Sequence, residues 1–355
     1  MNKPSKLLFV STSVWPLGSG LAGGVELTVL NLANILQKRG YEITIVAPKN
    51  SKLESFSIVE ISGELQTSAQ TQGRQDPVIL PDNSVLANMW NYTIKVVDQY
   101  DLIMNFAYDW LPLFLTPFFQ GKLIHLISMG SLSNVMDRVV QDVIKQCPNS
   151  IAFYSHSQAE TFGLKDGYFY LSSAIDLSKY SFCSQPQNQL AWVGRISPEK
   201  GLEDAVAASV KTGIPLKIMG KIQDAVYWQT ILNNYIDAPI EYLGFLSTEK
   251  LQAKLGQCRA LMMTHRWIEA FGNVAIEALA CGVPVISYRR GGPTEIIQDG
   301  VTGWLVEPDN INQLVYAIQN IDKIDRYVCR KQAETEYSLE KLGDRMEQWL
   351  LQILS

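Results

Sequence analysis

No stretch of this chain stays apolar for the roughly 20 residues that a bilayer-spanning helix needs. The most apolar segment, Trp110 to Phe119, is interrupted by Pro112 and Pro117, so stable membrane insertion is not expected. Met1-Asn2-Lys3-Pro4-Ser5-Lys6 runs straight into Leu7-Leu8-Phe9-Val10, too short a run for a secretory h-region with its cleavage site. An excess of basic charge is also missing. Thirty basic residues stand against 35 acidic ones, a net charge of −5, which gives no general polyanion-binding surface and argues against a nucleic-acid partner. Cys-x-x-Cys is absent, and Cys147, Cys183, Cys258, Cys281 and Cys329 fall at wide, unequal spacings. Their odd number argues against a disulfide framework and points to free thiols in a reducing, cytoplasmic compartment. Histidine is scarce as well: His125, His156 and His265 lie far apart and near no cysteine pair, so no zinc site is expected. No internal repeat or low-complexity tract is evident.

What is present is an ordinary globular composition, 47% hydrophobic and 18% charged over 355 residues, and a chain of that length suggests two domains. Short apolar runs alternate with helical patterns. Leu7–Ser11, Ile43–Ala47, Leu102–Phe106, Leu123–Ile127 and Ile151–Tyr154 read as buried strands of a first unit. Val25, Val29, Leu32 and Leu36 form one stripe of a helix that Lys38-Arg39-Gly40 ends. Ser51–Asp82 reads as an irregular insertion, and Gly163–Gln189 is loop-rich. The pattern restarts with strands at Gln189–Val193, Leu216–Met219, Glu241–Leu243, Ala260–Thr264 and Pro284–Ser287. The expectation is an α/β protein of two doubly wound parallel-sheet domains, with a ligand in the crevice outside the strand carboxyl ends. The N-terminal domain would cover 1–170 and be joined by a terminal helix, 338–355, carrying the stripe Leu342, Met346, Trp349, Ile353; the C-terminal domain would cover 171–337.

Three clusters carry chemistry. The first is Pro16-Leu17-Gly18-Ser19-Gly20-Leu21-Ala22-Gly23-Gly24-Val25-Glu26, a glycine-rich turn between a strand and a helix. Its backbone N–H groups can approach an anion, although a plain surface loop fits it equally well. The second, Gly194-Arg195-Ile196-Ser197-Pro198-Glu199-Lys200-Gly201, puts two cations at a strand's carboxyl end, where an Arg fork and a Lys point charge suit phosphate oxygens. Taken singly, each cation reads better as a surface group, Arg195 as a partner of Glu199 or Glu203. The third runs from Trp267 to Ile286 and sets Glu269 and Glu277 eight apart around Phe271-Gly272. A helix starting near Phe271 would aim free N–H groups at an anion, with Glu269 just before it and Glu277 about two turns inside.

These clusters, in this order and together with Gly291-Gly292-Pro293-Thr294-Glu295 and Asp299-Gly300-Val301-Thr302-Gly303, resemble the retaining glycosyltransferases of the GT-B fold, family 4. The resemblance implies two Rossmann-like domains with an interdomain cleft, a nucleotide-sugar donor held mainly by the C-terminal domain, and an acceptor held mainly by the N-terminal one. It implies that Arg195 and Lys200 hold the donor diphosphate and that Glu277 binds the ribose. Glu269, with the backbone of Phe271, Gly272 and Asn273, would hold the sugar hydroxyls and the distal phosphate. Gly23 and Gly24 would meet the phosphate from the opposite domain, and His125 would stand near the sugar, although alone it reads as a satisfied core histidine. Two departures stand out: His265-Arg266-Trp267-Ile268 replaces the usual Pro-Ser, and Ser173-Ala174-Ile175-Asp176 lacks the hinge-loop glycine.

The chain contains no Asp-x-Asp, so the cations and the helix amino end are expected to stabilise the leaving group without a metal, and no cofactor beyond a nucleotide-sugar donor is expected. Asp109, Trp110 and Ser128, in the stretches 102–112 and 125–131, are the candidate acceptor contacts. Their mix of aromatics and single polar groups suits a planar small molecule. These stretches and Pro16-Leu17-Gly18-Ser19-Gly20 are similar to those of UDP-glucose:tetrahydrobiopterin glucosyltransferases, which implies UDP-glucose as donor and a reduced pterin as acceptor. A lipid or polysaccharide acceptor, or a sugar-nucleotide-binding protein without catalysis, are the alternatives; the oligomeric state is left open.

Overall fold

The computed structural model describes residues 6–19, 24–53 and 55–354. It divides into two compact units, one comprising the chain up to Ser173 together with Leu339 onward, the other Ala174–Ser338.

The first unit is built on a seven-stranded parallel sheet. Its strands are β1 (Lys6–Val10), β2 (Glu42–Pro48), β3 (Ser57–Ile61), β4 (Leu102–Asn105), β5 (Leu123–Leu126), β6 (Ile151–Phe153) and β7 (Phe169–Tyr170), in the spatial order β3-β2-β1-β4-β5-β6-β7. Leu7 to Val10 are all buried, as a strand covered on both faces requires. Phe9 pairs with Ile45 on one side and Met104 on the other. The order reverses between β1 and β4, so the switch point lies between their carboxyl ends. The helix Gly24–Lys38 buries Val29, Leu32, Ala33, Ile35 and Leu36, and the terminal helix Leu339–Leu354 buries Leu342, Met346, Trp349 and Leu350. Arg39 ties the two together, pairing with Glu347 at 2.6 Å and Asp344 at 2.8 Å.

The second unit repeats the plan with β8 (Leu190–Val193), β9 (Leu216–Met219), β10 (Ile240–Gly244), β11 (Ala260–Met263), β12 (Val285–Tyr288) and β13 (Gly303–Val306), ordered β10-β9-β8-β11-β12-β13. Here the switch point falls between β8 and β11. Both sheets are the doubly wound, Rossmann-like layers expected from the alternation of apolar runs and helical stripes.

Three strands were missed by the periodicity. β3 lies inside the segment read as an irregular insertion; it is an edge strand with no buried residue, so its apolar signal is diluted. β7 is two residues long, below what a pattern can register. β13 begins at Gly303, where a Cβ would sit 1.9 Å from the Val285 carbonyl oxygen, so close strand approach rather than apolar patterning marks it.

Candidate active site

In the second unit, chemistry gathers at the carboxyl ends of β8 and β11. β8 leads through Gly194-Arg195 into a 3-10 turn, Pro198–Lys200, and then the helix Leu202–Thr212. Gly201 joins turn to helix at φ +62°, and a Cβ there would lie 2.1 Å from the Thr264 carbonyl oxygen. Only glycine lets the turn rest on the end of β11 in this way. Thr264 closes the contact: its Oγ1 donates to the Gly201 carbonyl at 2.7 Å and accepts from Trp192 Nε1 at 3.2 Å.

Lys200 is thereby delivered over the loop that follows β11. Its Nζ lies 2.5 Å from Glu269 Oε2, and both side chains are only 18% exposed. Trp267 Nε1 donates to the same oxygen at 3.0 Å. Burial pushes the Glu269 carboxyl upward, but the Lys200 charge and these hydrogen bonds outweigh it and hold it below the usual carboxylate range. Lys200 Nζ also lies 4.6 Å from the centre of the Trp267 ring, and Arg195 Cζ 5.9 Å from it. Arg195 donates to Gln223 Oε1 at 2.6 Å and pairs with Glu199 at 3.5 Å, the structural partner its sequence context suggested. Glu203 instead pairs with Arg266. Gly291 and Gly292 pack onto the Glu269 loop; a Cβ at the first would meet Glu269 N and O at 2.6 Å, and one at the second Phe271 Cα and O at 2.5 Å. The Gly292 N–H donates to the Glu269 carbonyl at 2.8 Å. That is the physical content of Gly291-Gly292-Pro293.

The helix after this loop is Asn273–Ala280, with Gly272 as its N-cap. It starts two residues later than the sequence suggested, so Glu277 stands one turn inside rather than two. Glu277 is not on a solvated face. Its Oε1 accepts from Tyr180 Oη at 3.0 Å, and burial pushes the carboxyl up to about 7. Phe271 and Gly272 are buried, and Asn273 Oδ1 is buried without a hydrogen-bond partner.

In the first unit, adjacent strands β1, β4 and β5 carry Ser13, Asp109 and Ser128 just past their carboxyl ends. Ser13 Oγ donates to Asp109 Oδ2 at 2.9 Å. Burial raises the Asp109 carboxyl to about 6 against the hydrogen bonds from Ser13 and Gln66. Ser128 Oγ is buried and has no hydrogen-bond partner. Trp110 turns elsewhere: it stacks on Phe114 at 4.6 Å and lines a groove of about 590 Å³ with Phe114, Phe118, Val135 and Arg138.

His125 requires a correction. It sits inside β5, fully buried, with Nδ1 accepting from Asn105 Nδ2 at 3.1 Å and Nε2 2.8 Å from Thr116 Oγ1. Thr116 spends its own proton on the Leu113 carbonyl at 2.7 Å, so Nε2–H is the donor and the ring is neutral. Burial lowers it to about 3. It is a core histidine, not a group that reaches a sugar. Gly24 opens the first helix and is exposed, while Gly23 lies outside the described residues.

Residues 179–335 match the family model of the group 1 glycosyl transferases. The second unit carries a group 1 glycosyl transferase domain. Among solved structures, Anabaena HepE in complex with UDP and glucose superposes with a TM-score of 0.74 at 16% identity, covering 98% of this chain and 100% of that one. Sucrose-phosphate synthase from Thermosynechococcus elongatus gives 0.76 at 18% identity, with 99% of both chains covered. The fold is GT-B. An uncharacterized glycosyltransferase of Methanocaldococcus jannaschii is 34% identical over 125 residues, 35% of either chain. Glycogen synthase of Mycobacterium tuberculosis is 30% identical over 162 residues, 42% of this chain and 39% of that one. The chain thus spans between about a quarter and half of the length of the curated relatives it matches. Among the described residues no helix is long and apolar enough to cross a membrane.

Trp267, Gln223, Tyr180 and Ser13 were not singled out from the sequence. Trp267 had a signal, since it occupies the position where the family pattern is broken; the others act through contacts of 28 to 97 residues' separation, which no local pattern announces.

Proposed function

We propose that this protein is a retaining, nucleotide-sugar-dependent glycosyltransferase of family 4 that moves glucose from UDP-glucose to a hydroxyl of a small molecule, the side chain of a reduced pterin. The observation that carries the reading is the convergence of Lys200, Arg195 and Glu269 on Trp267 at the β8/β11 switch point, inside the group 1 glycosyl transferase domain. The UDP and glucose bound in HepE support the choice of donor.

In this reading, Arg195, Lys200 and the amino end of the helix Asn273–Ala280 hold the diphosphate and absorb the charge that appears on it as the bond to the sugar breaks. Glu277 accepts from the ribose hydroxyls, and Glu269 from those of the sugar. The acceptor oxygen attacks the anomeric carbon on the face the diphosphate leaves. One carbon–oxygen bond breaks, another forms on the same side, and the acceptor proton passes to a departing phosphate oxygen. The chain's own cations carry the role a metal plays elsewhere. Asp109 and Ser128 offer the acceptor a carboxylate and an unengaged hydroxyl, which suits the N–H and O–H edge of a pterin.

One feature supports a second reading. The aromatic groove of Trp110, Phe114 and Phe118, the last 68% exposed, would suit the apolar part of a lipid acceptor. A donor screen by release of nucleoside diphosphate, with and without tetrahydrobiopterin, decides between them. Strong stimulation by the pterin is expected. Stimulation by lipid alone would transfer the function to the second reading, and binding of UDP without release from any nucleotide sugar would leave a binding protein.

A further inference from the structure

Trp267 meets three charged groups at the β8/β11 end, Glu269, Lys200 and Arg195. Its N–H holds Glu269 at 3.0 Å, Lys200 lies 4.6 Å from its ring centre, and Arg195 lies 5.9 Å from it. Each cation has its own carboxylate partner, Glu269 for Lys200 at 2.5 Å and Glu199 for Arg195 at 3.5 Å. The Trp267 face lies against both cations, and its quadrupole attracts the two to one place. The Glu269 loop, pinned by the close approach of Gly291 and Gly292, fixes the ring in turn.

We infer that Trp267 is a positioning residue that holds Arg195 and Lys200 side by side for two linked phosphates, so that the site selects nucleoside diphosphates over monophosphates. This rests on the donor-site reading above and adds a specificity determinant to it. A single phosphate can engage one cation wherever it sits; a diphosphate needs both at a set separation. The consequence is an unequal loss when the ring is removed.

Isothermal titration with UDP, UMP and inorganic pyrophosphate tests this on the full chain. Trp267→Leu should weaken UDP and pyrophosphate roughly 10-fold, as expected for two lost cation–π contacts, and UMP by less than about 2-fold on the same basis. Trp267→Phe keeps the ring face and loses only the N–H, so it should restore UDP affinity to within about 3-fold of the native protein. Trp267→Met replaces the leucine variant if that variant does not fold. Equal weakening of UDP and UMP, or leucine and phenylalanine variants that bind alike, overturns the inference. Native protein that binds UDP but releases none from any nucleotide sugar overturns the glycosyl-transfer reading instead and leaves the role of Trp267 standing. Native protein that binds neither UDP nor pyrophosphate overturns both.

Discussion

Lys200 and Glu269, 69 residues apart, share a 2.5 Å ion pair at the end of β11, and Trp267 donates to the same carboxylate oxygen. The pair is largely withdrawn from water, so removing one partner leaves the other poorly solvated. Lys200→Ala should lower turnover at saturating donor by about two to three orders of magnitude, the scale of losing one preorganised oxyanion donor. It should also let the Glu269 carboxyl rise toward its ordinary value, because the largest downward influence on it is gone. Steady-state release of nucleoside diphosphate checks the first outcome; turnover within a factor of a few of the native rate would remove Lys200 from the mechanism.

Glu277 gives a pH signature. Its native carboxyl sits at about 7, above its ordinary value of 4.5, through burial. Between those values the folded form holds a proton that the unfolded chain has released, so stability falls as pH rises from about 4.5 to 7 and then levels. Glu277→Gln should flatten this segment and raise stability at pH 8 by about 3 kcal/mol. Denaturant melts across that pH range read it directly. A variant that keeps the native slope would assign the slope to another group.

His125 has the opposite sign. With its native value near 3 against an ordinary 6.5, it favours the fold above about 6.5, and that contribution drains away as pH falls toward 3. His125→Ala should destabilise the first unit by about 3 kcal/mol, combining a cavity with unpartnered Asn105 and Thr116 groups. UDP affinity should be unchanged, since the ring touches only its own core. Calorimetric titration of UDP alongside a thermal melt separates the two effects.

Ser13 tunes Asp109. Ser13→Ala removes a hydrogen bond that opposes the upward push of burial, so the Asp109 carboxyl should rise above its native value of about 6. If the ionised carboxylate receives the acceptor, kcat/KM for the acceptor rises with pH through that value, and the limb should move upward in the variant. A pH profile unmoved by the substitution would detach Asp109 from acceptor binding.

Much of this architecture was legible beforehand because it is written in local repetition. Leu7 to Val10 and Ala260 to Met263 are continuous apolar runs, and a strand buried on both faces leaves that trace. The stripe Leu342, Met346, Trp349 likewise announced a helix packed on one face. Glu269 and Lys200 could be picked out because each stands in a short local motif, Glu269 paired with Glu277 around Phe271-Gly272 and Lys200 in the run from Gly194 to Gly201. β3 and β7 left no trace, being respectively half-buried and two residues long.

The order of apolar and polar residues along the chain determined two parallel α/β layers and the motif positions at their strand ends, since periodicity and glycine placement act over a few residues. Only the tertiary structure decided that His125 belongs to the core, that Tyr180 reaches Glu277, and that one indole serves Glu269, Lys200 and Arg195 together. Those outcomes depend on which distant side chains converge when the sheets form, and burial and charge at such meeting points are properties of the assembled fold.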